Sequence, residues 1–464
     1  MVVSGAAALS GTALLAAAAV PVILGLLGSR FSSLLAAPGD GVLYRSTLYV
    51  LSGALVLHLT LTLCDLAGVP WSLVLLAALG ALFFGLAWRF LPGHPERTRL
   101  PSNPGWGDGI ALLVLVAFTL VALTGWITIP DFIFHWGLKG HRFYLARGVD
   151  YAYLGRSWNW VIHPDYPNLA PELFAVTAML AGGFDEPAMM LWTGIFFALL
   201  LAASREGLRQ GGADRFTLQS GLALVALATG AFGLGHLMAG AADWMIALAL
   251  AAALPPLLRP PDRAGDFQIG AAAAFAAAAK FEGVPLAAFL VLVQLARRAP
   301  RISLRAVART VLPAAAVVLL WLGRVIHHHL FLPFNSGPLR LSRAGELLPA
   351  VTEAFATSAW HGFSLAALLP PLLLLHRRTR PFAAAATLQL LFYSYTYLTV
   401  RVDDLRFFVL SNLARLAFHL VPASLVAALV AWPSPRRREA HDVAIGGEPA
   451  AALGADPERV AGSG

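Results

Sequence analysis

Apolar runs suited to a lipid bilayer recur along this chain. Stretches such as ALSGTALLAAAAVPVILGLLG (8–28) and VAFTLVALTGWI (116–127) fit a hydrocarbon core about 30 Å thick, which a helix crosses with about 20 residues. The chain has 464 residues, 58% of them hydrophobic and 12% charged, whereas a soluble domain carries roughly 25% charged residues. The fold class this implies is an all-α polytopic membrane protein. Further spans follow the first run, so it is not read as a cleaved signal peptide. The single cysteine, Cys64, lies in an apolar run and has no internal partner for a disulfide.

Candidate spans fall at roughly 5–28, 46–66, 70–90, 108–129, 187–203, 217–238, 241–258, 268–280, 283–296, 310–326, 350–375, 382–400 and 407–431. Basic clusters orient them, because short cytoplasmic loops collect Lys and Arg. These clusters are Arg89 with Arg97 and Arg99; Arg205, Arg209 and Arg215; Arg297, Arg298, Arg301, Arg305 and Arg309; His376–Arg380; and Arg436–Arg438. Placing all of them inside the cell is self-consistent with about thirteen transmembrane helices. Residues 167–183 are then a half-span or an interfacial helix. The net charge of +8 is spent on topology and is no sign of nucleic acid. The segment 432–464 is polar and rich in Gly, Ala, Pro and Glu; it is expected to be a disordered cytoplasmic tail.

One long segment breaks the apolar pattern: PDFIFHWGLKGHRFYLARGVDYAYLGRSWNWVIHPDYPN, residues 130–168. It is expected to be a large outer loop carrying short interfacial helices. Loops of this length tend to be functional or disordered, and its aromatic content argues against disorder. Asp131 opens it, as a general base or as the N-cap of a helix starting at Phe132. Asp165 sits between Pro164 and Pro167, as a turn with an Asx cap or as a second carboxylate beside Asp131. Lys139, His141 and Arg142 suit a phosphate at the membrane surface, or snorkel to the interface. Trp136, Trp158 and Trp160 form an aromatic belt or a platform for a sugar ring.

Polar residues recur elsewhere on the same expected side. Asp243 opens an apolar run, and an intramembrane acid is costly unless paired or at a cavity. Lys280 and Glu282 stand two apart, so they do not face each other on an intact helix. Gly283 and Pro285 would break that helix and let both reach one cavity. Arg415 lies about 13 Å into the last span, with Ser411, Asn412 and His419 on its face. The HHH run at 327–329 is a weak metal site by itself, since adjacent helical histidines diverge. No Walker loop, dinucleotide fingerprint or zinc-finger spacing is present.

Taken in order, these motifs resemble the GT-C superfamily of polytopic glycosyltransferases. The likeness is to the branch of protein O-mannosyltransferases, lipid A aminoarabinose transferases and Rgt-type lipopolysaccharide-core transferases. It is carried by Asp131, HPDYPNL with Asp165, AADWMIALAL with Asp243, AAAAKFEGVPL with Lys280 and Gly283, and RLAFHLVP with Arg415. It covers 108–431, leaving 1–107 as additional N-terminal helices; three spans precede the one leading to Asp131, where the family usually has none. The family's Lys-Pro-Pro after the second acid is here Tyr166-Pro167-Asn168.

The resemblance implies a GT-C-like fold in the cell membrane and a polyprenyl-phosphate sugar donor reached from the outer leaflet. It implies an inverting transfer to a glycan, lipid or protein acceptor. Asp131 would be the base, with Asp165 supporting it, positioning the acceptor or holding an optional divalent metal. Lys139, Arg142, Arg415 and Lys280 would bind the donor phosphate. His135, His163, Tyr166, Asp243 and Glu282 would line the acceptor cavity. Three rival classes stay open. They are an O-antigen ligase or polymerase type of transferase, a secondary transporter of an anionic or lipid-linked substrate, and a non-catalytic assembly subunit. Transporters carry paired helix breaks, and the sequence offers only the one near Gly283.

Overall fold

The architecture is helical throughout, and no β-strand occurs among the described residues. It comes from a computed structural model that describes residues 9–91, 104–300, 302–330, 337–357 and 361–432. Nearly all of the segment expected to be a disordered tail, and the basic residues Arg97, Arg99, Arg301 and Arg436–Arg438, lie outside them. Met1–Ala431 forms one compact unit.

Among the described residues, seven helices are long and apolar enough to cross a membrane: Gly11–Ser29, Val42–Leu66, Leu73–Phe90, Trp106–Leu123, Glu186–Gln210, Arg215–Gly235 and Leu304–His327. The bent pair Leu405–Phe418 and Val421–Ala431 makes an eighth if it counts as one span. Thirteen apolar segments in the sequence therefore correspond to fewer helices of full crossing length. Leu169–Ala181 has 13 residues, about 20 Å of helix, which is short of the hydrocarbon thickness.

Helix ends are set by local side chains. Ser72, Asp262, Ser303 and Asp404 each accept a backbone N–H from the first turn that follows, which satisfies an otherwise orphaned donor. Packing relies on small residues, as expected where lipid removes the hydrophobic drive between helices. Gly28 and Gly53 bring Gly11–Ser29 and Val42–Leu66 into backbone contact. A Cβ on Gly28 would stand 1.8 Å from the Tyr49 carbonyl oxygen, and one on Gly53 would stand 1.9 Å from that of Leu24.

The helix Asp243–Leu258 runs through the centre, and all of its residues are buried. It packs against Leu191–Gln210 and Arg263–Ala279. A polar assembly occupies each of its ends. At the C-terminal end, Arg259 Nη1 is 2.8 Å from Asp40 Oδ1, and Asp40 also accepts from Gln210 and Gln268. Nearby basic residues are also paired: Arg205 with Asp108, Arg209 with Glu206, and Arg298 with Asp266. Asp243 itself begins the other assembly, about 24 Å away along the helix.

Two helices break beside Asp243. Arg263–Ala279 stops at Lys280, whose backbone is extended, and Gly283–Arg298 restarts three residues later. The close approach of Gly283 to the previous helix fixes this corner, since a Cβ there would meet the Ala276 carbonyl oxygen at 1.9 Å. The second break, a bend of 52°, separates Leu405–Phe418 from Val421–Ala431 and contains His419. It corrects the expectation of a single break.

Candidate functional site

Asp243 is the hub of the site. It is fully buried, and its two oxygens take three side-chain donors. Lys280 Nζ lies 3.0 Å and His419 Nε2 2.7 Å from Oδ1, and Arg415 Nη2 lies 3.1 Å from Oδ2. Charge at this depth is tolerated only when paired and hydrogen-bonded. Lys280 also lies 3.4 Å from Glu282 Oε1, a contact that the helix break permits. Behind His419, Tyr393 Oη is 2.6 Å from Nδ1, and Gln389 donates to the Glu282 carbonyl.

Asp131 reaches this hub through Arg415: its Oδ2 is 2.6 Å from Nη2 of the guanidinium. A short backbone staple makes this possible. Ile129 N–H donates to Ala239 O at 2.9 Å, and Ala239 N–H donates to Ile127 O at 3.0 Å. The start of the 130–168 segment is thereby tied to the turn before Asp243. Gly240, at φ +82, admits the Phe132 ring where a Cβ would clash at 2.7 Å. Asp131 is not the expected N-cap, for it has helical backbone angles and makes no capping bond. The chain continues as one π-helical turn, Phe132–Trp136, a feature frequent at functional sites. That turn sets His135 Nε2 3.9 Å from Asp131 Oδ1.

Aromatic rings form the adjoining wall. His135 and His163 lie 4.8 Å apart, and Tyr166 stacks on His163 at 4.5 Å. Trp136 and Phe281 approach Tyr166 at 5.9 and 6.1 Å. Burial lowers His135 to about 4 and His163 to about 3, helped by the nearby Lys139, Lys280 and Arg415. Both imidazoles are neutral at pH 7. His163 adopts φ +46 between Ile162 and Pro164, a left-handed conformation rare outside glycine.

Asp165 and Lys139 form a second group, and Asp165 also feels the Glu282 carboxylate of the first. Burial pushes the Asp165 carboxyl up and the Lys139 ammonium down, and each partly restores the charge of the other. Lys139 is fully buried and donates to the His163 carbonyl at 2.5 Å. The Asp165 carbonyl accepts from Trp321 Nε1 at 2.7 Å. Lys139 thus supports the 163–166 turn.

Of the expected residues, Asp131, Asp243, Lys280, Glu282 and Arg415 come together, with His135, His163 and Tyr166 beside them. Arg142 does not join: it is ion-paired with Asp150 and lies over the Tyr153 ring. In the histidine run, His328 stacks on Tyr151 at 3.5 Å. Among the described residues no three His, Cys, Asp or Glu are gathered to hold a metal ion. Sequence reasoning missed His419 as an Asp243 partner, and Tyr393 altogether. It also missed a buried pair nearby, His58 Nδ1 to Glu172 Oε2 at 2.6 Å, with Arg324 Nη1 3.9 Å from both Glu172 and Asp65.

Several buried polar atoms in this neighbourhood have no hydrogen-bond partner: Arg415 Nε, Glu282 Oε2, Asp165 Oδ1, and Nδ1 of both His135 and His163. Buried polar groups are nearly always bonded, so this group suits a polar, multi-hydroxyl or anionic ligand. No family model, curated protein or solved structure matches the chain.

Proposed function

We propose that this protein is an integral-membrane glycosyltransferase that uses a polyprenyl-phosphate sugar donor. The observation that carries the reading is the 2.6 Å contact between Asp131 and Arg415, beside Lys280, at the broken ends of buried helices. A single base next to fixed cations is what displacement of a lipid phosphate requires. In this reading about thirteen segments cross the cell membrane, several as short or broken helices, and the 130–168 segment faces outward.

In the reaction, Asp131 takes the proton of an acceptor hydroxyl. The acceptor oxygen attacks the anomeric carbon from the face opposite the phosphate. The bond from that carbon to the phosphate oxygen breaks, its electron pair leaves with polyprenyl phosphate, and the configuration inverts. Arg415 and Lys280 stabilise the leaving phosphate. The unpartnered oxygens of Asp165 and Glu282, with the rings of Tyr166 and Phe281, suit sugar hydroxyls and a ring face. The donor phosphate is assigned to Arg415 and Lys280 because they stand together at Asp243 and Arg415 Nε has no partner, whereas Arg142 is taken up by Asp150 and Lys139 holds the His163 carbonyl.

The test is a transfer assay in membranes with a panel of radiolabelled polyprenyl-phosphate sugars. Label is expected in a non-donor product with the wild type and not with Asp131→Asn. Transfer undiminished in Asp131→Asn would remove Asp131 as the base. The two broken helices meeting at Asp243 favour one second reading, a transporter of an anionic substrate, since such sites form at discontinuous helices. Uptake into proteoliposomes without covalent product would establish that reading instead.

A further inference from the structure

We propose that the Asp131–Arg415 ion pair is a latch opened by the donor's phosphate, so that the donor binds first and the base is free only afterwards. This inference rests on the glycosyltransferase reading and adds to it an order of substrates.

One nitrogen carries the argument. Arg415 Nη2 serves Asp131 Oδ2 at 2.6 Å and Asp243 Oδ2 at 3.1 Å. The two carboxylates are not equally able to let go. Asp243 is fully buried and also holds Lys280 and His419, so releasing it would leave several buried charges unpaired, at high cost. Asp131 keeps 21% of its side chain exposed, and apart from Arg415 it has the neutral His135 imidazole beside it at 3.9 Å. Asp131 is the partner that can leave.

A phosphate is suited to displace it. The guanidinium fork binds phosphate oxygens in pairs, and Arg415 Nε is a donor with no partner on that same group. While the latch is closed, Asp131 Oδ2 is held against Arg415 Nη2 as an ion pair and is not turned to an acceptor hydroxyl. Once a phosphate takes over the guanidinium, Asp131 is released next to His135, whose imidazole can orient it toward the acceptor. After transfer the phosphate is still on Arg415, so polyprenyl phosphate leaves last and the latch closes behind it.

The experiment is binding of farnesyl phosphate to the full-length protein in detergent, with farnesol as the uncharged control. Wild type, Asp131→Asn, Asp131→Ala and Arg415→Met are compared after monodisperse elution and melting confirm folding. Two Asp131 variants guard against misfolding of either. Removing a competing carboxylate is expected to tighten farnesyl phosphate binding by at least about fivefold, the low end of typical coupling between ligands. Farnesol binding should not change, and Arg415→Met should abolish the phosphate-dependent part. Equal or weaker binding in the Asp131 variants, with binding still dependent on Arg415, would overturn the latch and leave the donor site standing. Absence of Arg415-dependent binding in the wild type and both Asp131 variants would overturn the glycosyltransferase reading as well.

Discussion

Lys280 and His419 lie 139 positions apart and meet on the same oxygen, at 3.0 and 2.7 Å from Asp243 Oδ1. Each stands at a break in its helix. Asp243 therefore ties two discontinuous helices together at their breaks through side-chain contacts. Removing it leaves the buried Lys280 and the half-buried Arg415 without their common partner. Asp243→Ala is expected to cost about 3–5 kcal/mol, read as a large drop in melting temperature in detergent. Adding Lys280→Met to it should recover part of the loss. Equal stability of Asp243→Ala and wild type would show that the assembly does not hold the breaks together.

The corner at Gly283 sets where Lys280 and Glu282 stand. A Cβ there meets the Ala276 carbonyl oxygen at 1.9 Å and Ile246 at 2.8 Å, and backbone cannot yield as a flexible side chain does. Gly283→Ala is expected to destabilise by about 1–3 kcal/mol and, in the proposed glycosyltransferase, to lower transfer more than its effect on folding explains, because Lys280 moves. Gly323→Ala is the control, with nothing within 4 Å of its added methyl. Matching melting curves and transfer rates for the two variants would contradict the close-contact argument.

The sequence made parts of this site legible for identifiable reasons. Gly283 and Pro285 announced the break, and an intramembrane Asp243, Lys280 and Arg415 each demanded a partner, so their convergence followed from energetics. Asp131's partner was hidden, because it depends on the pairing of Ile127 and Ile129 with Ala239, 110 residues on. Ser411 and Asn412 share Arg415's stripe by spacing but bond to each other and to the Phe408 carbonyl. Tyr393 was readable in principle: Gln389, Tyr393 and Tyr397 recur every four residues, a single helix face, and all three are buried. The crossing count was the least legible quantity, since hydropathy registers apolar character and not whether one helix continues through it.

The neutral imidazoles give acid sensitivity. An unfolded chain protonates histidine below about pH 6.5, whereas folded His135 and His163 resist until about 4 and about 3. Between those limits the unfolded state binds more protons, so stability falls as pH falls. The loss from pH 7 to pH 5 should be roughly 1–2 kcal/mol for each imidazole. His163→Asn removes one of them and suits the left-handed backbone at φ +46, so its melting temperature should drop less over the same range. Identical pH dependence in the variant and the wild type would count against a buried neutral His163.

Asp131 and Asp165 differ in surroundings and, in the proposed glycosyltransferase, should differ in kinetics. Asp131 lies at the cations, whereas Asp165 lies in the turn held by Lys139 and Trp321, with a carboxyl oxygen free to accept from a ligand. Asp131→Asn is expected to lower kcat by about 10²–10⁴-fold, as loss of a general base does. Asp165→Asn should act mainly on the acceptor's KM, because the contact it removes is made before the reaction as well as during it. Burial raises the Asp165 carboxyl above the ordinary carboxylate range. It ionises only as pH climbs past that range, so acceptor binding in the wild type should strengthen with rising pH through this limb. Asp165→Asn should flatten it. The measurement is kcat and acceptor KM against pH for both variants, and a kcat collapse in Asp165→Asn equal to that in Asp131→Asn would exchange their assigned roles.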